Sequence, residues 1–339
     1  MLHIHQNVSL KNYNTFGIEI CAKNFVEINS KDELTELFAD TKWKQEKKLV
    51  LGGGSNVLFI NNFEGLVIRI NIKGITQTIN NDTVFVEAGA GEAWNDFVNY
   101  CVDNGFCGIE NLSLIPGSVG ASPIQNIGAY GVEIKDIFHS CLAYELETGA
   151  FKTFTNADCK FGYRESVFKN ELKDKYIIVS VVFKLSLKKQ FNLKYGAIEQ
   201  ELSNRRITKP TLKDISQVVA DIRVAKLPDP MTIGNAGSFF KNPIIDSKQF
   251  EKLKLEFPDI VSYPSGLNQV KLAAGWLIEQ CDWKGKVHGN TGTWKNQALV
   301  LVNHGGATGL EVFDLSSQII DTVSAKFGVS LQREVNIIV

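Results

Sequence analysis

Residues 47–60 read Lys47-Lys48-Leu49-Val50-Leu51-Gly52-Gly53-Gly54-Ser55-Asn56-Val57-Leu58-Phe59-Ile60. A β-like run enters the three glycines and a second β-like run leaves them. Glycine admits positive φ and lets backbone amides approach an anion closely, while Ser55 and Asn56 add donors. A Rossmann loop would be G-x-G-x-x-G opening straight into a helix. Here the apolar run 57–60 follows, so that reading is rejected, and no G-x-x-x-x-G-K-[ST] P-loop occurs elsewhere. Taken alone, GGGSN is equally a tight turn.

Working outward, residues 25–30 (FVEINS) read as a strand and 32–40 (DELTELFAD) as a helix capped by Ser30 or Asp32. From about Gly65 the pattern is mostly β, with GLVIRI, TVFVEAGA, CLAYELE, FKTFT and YIIVSVVFKL as strands. Thr148-Gly149 is the expected turn of a hairpin. One helix, residues 92–105 (EAWNDFVNYCVDNG), interrupts them. From about Thr211 helices are expected to dominate. Ile215, Val218, Val219, Ile222 and Ala225 make an apolar face at helical period. Residues 308–328 carry a capping box, Thr308 with Glu311, and end at Gly328. The last residues, VSLQREVNIIV, read as a strand.

The chain has 339 residues, enough for two or three domains and an ample core. A formal net charge of -1 argues against a broad nucleic-acid surface. No signal peptide and no membrane-spanning run is expected. The six cysteines, Cys21, Cys101, Cys107, Cys141, Cys159 and Cys281, form no C-x-x-C pair, which fits free thiols in a reducing compartment. His3 and His5 read as a solvated terminus, and no metal site is expected.

A second glycine-rich segment runs from Ile115-Pro116-Gly117-Ser118-Val119-Gly120-Ala121 to Asn126-Ile127-Gly128-Ala129-Tyr130-Gly131. It is too apolar for a solvated loop, and a buried loop must find partners for its amides. A large cofactor with phosphates and carbonyls would supply them. An ordinary Ω-loop is the plain alternative. Two such segments, with Gly89-Ala90-Gly91 between them, favour dinucleotide binding.

GGGSN, IPGSVGASPIQNIGAYG, FGYRESVFK, KLPDP, GNAGSFFKNP, AAGWLIEQC and LQREVNIIV stand in this order along essentially the whole chain. In this the chain resembles the UDP-N-acetylenolpyruvoylglucosamine reductase family, and LKYGAIEQEL with Tyr195 resembles its type I form. The resemblance implies an α+β fold: an FAD-binding domain of the vanillyl-alcohol-oxidase (PCMH) type in two subdomains, 1–72 and 73–222. A C-terminal α+β substrate-binding domain would occupy 223–330, and a strand at 331–339 would return to the cleft. It implies non-covalent FAD, NADPH as hydride donor, a UDP-sugar substrate, a cytoplasmic monomer, and neither nucleic-acid binding nor membrane insertion.

Carried over by motif, Arg164, Ser238 and Glu334 are the implied catalytic residues. The implied cofactor contacts are Gly52, Gly53, Gly54, Ser55, Asn56, Pro116, Gly117, Ser118, Gly120, Ala121, Ile127 and Gly128. The implied substrate contacts are Tyr130, Tyr195, Arg223, Lys226, Asn242 and Gln297. The implied reaction adds a hydride to the vinyl CH2 carbon of an enolpyruvyl ether and a proton to its neighbour. Arg164 suits the carboxylate because its planar fork binds such groups bidentately.

Each residue also has a plainer reading. Arg164 alone reads as an ion pair with Glu165, Ser238 as a loop hydroxyl bonding backbone, and Glu334 as a solvated strand residue opposite Val335, Ile337 and Val339. Lys226 reads as a cation at a helix C-terminus. Tyr130 and Tyr195 read as packing. Two further readings stay open: another flavin oxidoreductase of this fold, and a non-catalytic binder of flavin or UDP-sugar.

Overall fold

The computed structural model describes residues 2–193 and 196–339, which divide into two compact units. One takes residues up to Val8, Ala22–Gly53 and Glu64–Arg223; the other takes Ser9–Cys21, Gly54–Phe63 and Val224–Val339. The boundary falls inside GGGSN, between Gly53 and Gly54.

The first unit holds two sheets. A four-stranded sheet is ordered His5–Ser9, Cys21–Ile28, Phe63–Ile70, Lys48–Leu51. Its last two strands run parallel, with Leu49 opposite Val67. The connecting helix Lys31–Ala39 is capped by Ser30, whose hydroxyl accepts the Glu33 amide at 3.1 Å, and it buries Leu34, Leu37 and Phe38. That settles the choice between Ser30 and Asp32.

A five-stranded antiparallel sheet is ordered Phe151–Thr155, Phe138–Glu145, Tyr176–Ser186, Thr83–Gly89, Ile75–Asn80. Alternation decides its faces: Val84, Val86 and Ala88 are buried while Glu87 is exposed. Gly149, at φ 77, makes the expected turn, and its amide bonds to Glu145 O at 2.9 Å. The helix Trp94–Asp103 buries Trp94, Phe97, Val98, Cys101 and Val102 in the same core.

The second unit also holds sheets, where the sequence pattern predicted mostly helix. Four antiparallel strands are ordered Gly234–Ser238, Gln297–Asn303, Thr291–Trp294, Val287–His288. Three more, Ile244–Asp246, Gln269–Leu272 and Ser262–Pro264, form a small antiparallel sheet. The helix Gly309–Phe327 does have the expected capping box and a left-handed Gly328, and it buries Val312, Leu315, Ile319, Val323 and Phe327. At the C-terminus only Asn336–Ile338 is strand, paired in parallel with Val57–Phe59. The six cysteines are free. Among the described residues, no helix is long and apolar enough to cross a membrane.

Candidate active site

In the first unit the two glycine-rich segments lie against each other. A Cβ on Gly53 would sit 2.9 Å from the Gly117 Cα, and one on Gly52 would strike the Ser118 hydroxyl. Gly117 has φ 123, which no side-chain-bearing residue adopts readily. A Cβ on Gly120 would meet that of Ala90 at 2.5 Å. Bare backbone is therefore needed at all four positions.

The amides of the second segment are largely satisfied by the protein itself. Val119 N bonds to Glu92 O, and Gly120 N to Ala90 O, both at 2.9 Å. Ala121, Ser122, Ile124, Asn126 and Ile127 also donate to nearby carbonyls. Partners that a bound cofactor could have supplied are thus largely supplied by the protein. What the fold leaves over is a hydroxyl: Ser118 Oγ is buried and has no hydrogen-bond partner among the described residues. An unpaired buried donor beside close-packed glycines fits a ligand bearing phosphates or ring carbonyls. The residues present therefore fit FAD.

The end of that segment is backbone-strained. Asn126 and Tyr130 have φ 47 and 50, and Arg164 has φ 57. Such left-handed residues cluster where surrounding contacts over-determine them. Asn126 is fully buried; its amide donates to Gly162 O at 2.9 Å and to Glu133 Oε2 at 3.2 Å, and its Oδ1 accepts the Lys135 amide at 3.0 Å. The Arg164 guanidinium donates to Gly128 O at 2.8 Å and Asn126 O at 3.4 Å. It is thus tied to the glycine-rich segment. Sequence reasoning missed Asn126, whose only signal was its place within that segment.

Tyr130 and Arg223, both expected substrate contacts, are brought together. The Tyr130 hydroxyl is near enough to the Arg223 guanidinium to influence it: burial lowers the Arg223 pKa, and Tyr130 opposes that. Arg223 Nε also donates to Leu114 O at 3.2 Å. Pro116, Ile127 and Gly128 lie in the same segment. Tyr195 lies outside the described residues.

In the second unit Ser238 ends the strand Gly234–Ser238. The register slips between Asn235 and Ser238, and Gly237 has φ 68. Such a bulge re-aims the side chain that follows it, and Ser238 is exposed. Glu334 N donates to Phe239 O at 2.8 Å, and Phe240 bridges Arg333. Ser238 and Glu334 are therefore on neighbouring backbone. Arg333 anchors that pairing: it donates to Ser316 Oγ and Ser317 Oγ, both at 2.7 Å, and its guanidinium carbon lies 4.2 Å from the Phe313 ring centroid.

Asn56, expected at the cofactor, donates its side-chain amide to Glu334 O at 3.3 Å. Gly54, at φ 63, has no room for a Cβ against the Tyr13 carbonyl. The other expected substrate residues of this unit have local partners or face solvent. Asn242 Oδ1 accepts the Ala274 amide at 2.9 Å, at the start of the helix Ala274–Glu279. Gln297 Oε1 accepts the Leu299 amide at 3.3 Å. Lys226 is exposed at the last position of the helix Leu212–Lys226. Val335 is buried, Ile337 is half-buried and Val339 is exposed, so the expected alternation fades toward the terminus.

Comparison with known proteins adds to this geometry. The pattern described as FAD binding domain matches residues 22–150. That of UDP-N-acetylenolpyruvoylglucosamine reductase, C-terminal domain, matches 229–338. A reductase of that name from Flavobacterium johnsoniae is 52% identical, covering 99% of this chain and 100% of the relative. One from Pseudomonas aeruginosa is 46% identical over 99% of both. The crystal structure of the reductase from Thermus caldophilus superposes with a TM-score of 0.68 at 22% identity, covering all of both chains, which speaks to the fold.

Proposed function

Because the chain belongs to the UDP-N-acetylenolpyruvoylglucosamine reductase family, we propose that it reduces the enolpyruvyl ether of UDP-N-acetylglucosamine to UDP-N-acetylmuramate, a peptidoglycan precursor. NADPH is the electron source, as is standard for the family. FAD, when bound, would supply the hydride carrier between NADPH and the vinyl CH2 carbon.

The chain's own residues do the rest. Residues 52–56, with Pro116, Gly117, Ser118, Gly120, Ala121, Ile127 and Gly128, hold the cofactor. Ser118 Oγ offers it a donor that no other described residue engages. Arg164 uses two of its N–H groups on the Asn126 and Gly128 carbonyls. Its guanidinium is a planar fork of five donors, a shape that suits the substrate carboxylate, where negative charge grows. A preorganised donor of this kind is typically worth about 3–4 kcal/mol.

Ser238 gives a proton to the ether-bearing carbon next to the vinyl CH2. A serine hydroxyl is a weak acid, so it serves a strongly basic centre, and Glu334 orders the proton network. Tyr130, Tyr195, Arg223, Lys226, Asn242 and Gln297 hold the UDP-sugar. In this reading residues 1–72 and 73–222 serve the cofactor, 223–330 the substrate, and 331–339 return Glu334 to the cleft. The enzyme works as a cytoplasmic monomer, and its free thiols suit a reducing compartment.

The observation that carries the reading is the 2.8 Å bond from Glu334 N to Phe239 O, which sets the carboxylate residue next to Ser238. Anaerobic stopped-flow tests it. NADPH is expected to bleach the flavin, and the enolpyruvyl substrate then to restore its colour. Reduced protein that stays bleached on mixing with that substrate would contradict it.

A further inference from the structure

Asn111 is buried to 1% exposure, on the short helix Glu110–Leu112, outside every motif that carries the family resemblance. Its surroundings hold it rigidly. The Glu110 carboxylate accepts the Gly108 amide at 2.7 Å. Ser113 Oγ donates to Glu110 O at 2.7 Å and shares a 2.8 Å bond with Ser216 Oγ on the helix Leu212–Lys226. The Trp94 indole donates to Leu112 O at 2.9 Å.

From this platform the Asn111 amide uses both hydrogens. Nδ2 donates to Tyr130 O at 2.8 Å and to Asn192 O at 2.9 Å. Asn192 Nδ2 in turn donates to Gly131 O at 2.9 Å. Two bonds thus hold the carbonyls of Tyr130 and Gly131, whose φ values are 50 and 81, and the third ties Asn192 to Asn111. A left-handed tyrosine is costly and persists only when its neighbours impose it. The Asn111 Oδ1 is buried without a partner among the described residues, which is itself unfavourable. The side chain is therefore explained by its two donors, not by its carbonyl. Aspartate has the same shape and no donors; leucine has neither donor nor acceptor.

We propose that Asn111 is a positioning residue for the UDP-sugar. It acts through Tyr130, whose hydroxyl it aims at Arg223, and it does not touch the reacting atoms. The proposal rests on the reading of Tyr130 as a substrate contact.

The test compares Asn111→Asp, Tyr130→Phe and the double variant as purified holoenzymes. Flavin content and the rate of flavin reduction by NADPH report the fold and the cofactor site. In N111D both are expected to stay within about twofold of wild type. KM for UDP-N-acetylglucosamine enolpyruvate is expected to rise about tenfold, with kcat changed by less than about threefold; tenfold corresponds to roughly 1.4 kcal/mol. The double variant is expected to be no worse than the poorer single one, because both changes remove the same placement of Tyr130. If Y130F raises KM and N111D does not, or if the two effects simply add, the positioning role is overturned and the reading of Tyr130 stands. If N111D raises KM and Y130F does not, the reading of Tyr130 is overturned, and with it the route proposed for Asn111. Should N111D lose flavin or fail to fold, Asn192→Ala, which removes only the Asn192-to-Gly131 bond, decides: a KM rise of about threefold supports the proposal, and an unchanged KM overturns it.

Discussion

The Gly53 and Gly117 backbones pack so closely that a Cβ on Gly53 would lie 2.9 Å from the Gly117 Cα. The neighbouring Gly54 is left-handed, at φ 63, and equally bare against Tyr13. Gly53→Val and Gly54→Val are therefore expected to lose FAD during purification. The flavin-to-protein absorbance ratio checks this. Variants that take up FAD with wild-type affinity would show that the loop is only a turn.

Ser118 separates cofactor binding from stability because its hydroxyl is buried and, among the described residues, unpaired. An unsatisfied buried polar group costs about 1–3 kcal/mol. Ser118→Ala is expected to raise the melting temperature of the FAD-free protein and to weaken FAD binding. A titration with FAD and a thermal melt of the apoprotein measure the two effects, which should have opposite signs. Both falling together would mark the hydroxyl as structural.

The long helices were legible in the sequence because period and cap agree. Leu34, Leu37 and Phe38 follow Ser30, and Val312, Leu315 and Ile319 follow the Thr308–Glu311 box. The sheets of the second unit were not. Ile244–Asp246 and Ser262–Pro264 are three residues each, too short for alternation to register. Thr291–Trp294 buries threonines, with Thr291 Oγ1 bonded to Val302 O at 2.8 Å, so it carries no apolar signal. At the site, glycine spacing announced a cofactor, but Arg164, Ser238 and Glu334 stood out only through family resemblance. Asn111 had no signal, since a single asparagine in a loop is ordinary until its two acceptors are seen.

Arg164→Lys keeps the charge and loses the planar fork. Lysine cannot reproduce donation to Gly128 O and Asn126 O together with a bidentate grip on a carboxylate. Reoxidation by the enolpyruvyl substrate is expected to slow by about 100-fold, the scale of a lost preorganised donor. Reduction by NADPH is the internal control and should be unchanged. Wild-type reoxidation would make Arg164 a bystander.

Glu110 gives a pH signature. Burial raises its carboxyl pKa above the usual 4.5, against the lowering effect of bonds from its own backbone, Gly108 and Ile109. A raised folded-state pKa means the protonated form is favoured in the folded protein. That contribution is full below the unfolded value and is lost as pH rises through the folded one. Glu110→Gln does not titrate and keeps an oxygen for the Gly108 amide. Its stability relative to wild type is expected to increase as pH rises from below about 4.5 toward neutrality. Urea melts across that range check it; a difference that is flat or falls with pH would contradict the assignment.

We propose that Ser238 delivers the proton after NADPH has reduced the flavin, and Ser238→Ala in anaerobic stopped-flow tests this. NADPH should bleach the variant's flavin at the wild-type rate. General acid catalysis is worth about 10²–10⁴-fold, so reoxidation by UDP-N-acetylglucosamine enolpyruvate should slow by at least two orders of magnitude. Reoxidation of the reduced variant at close to the wild-type rate would contradict the account.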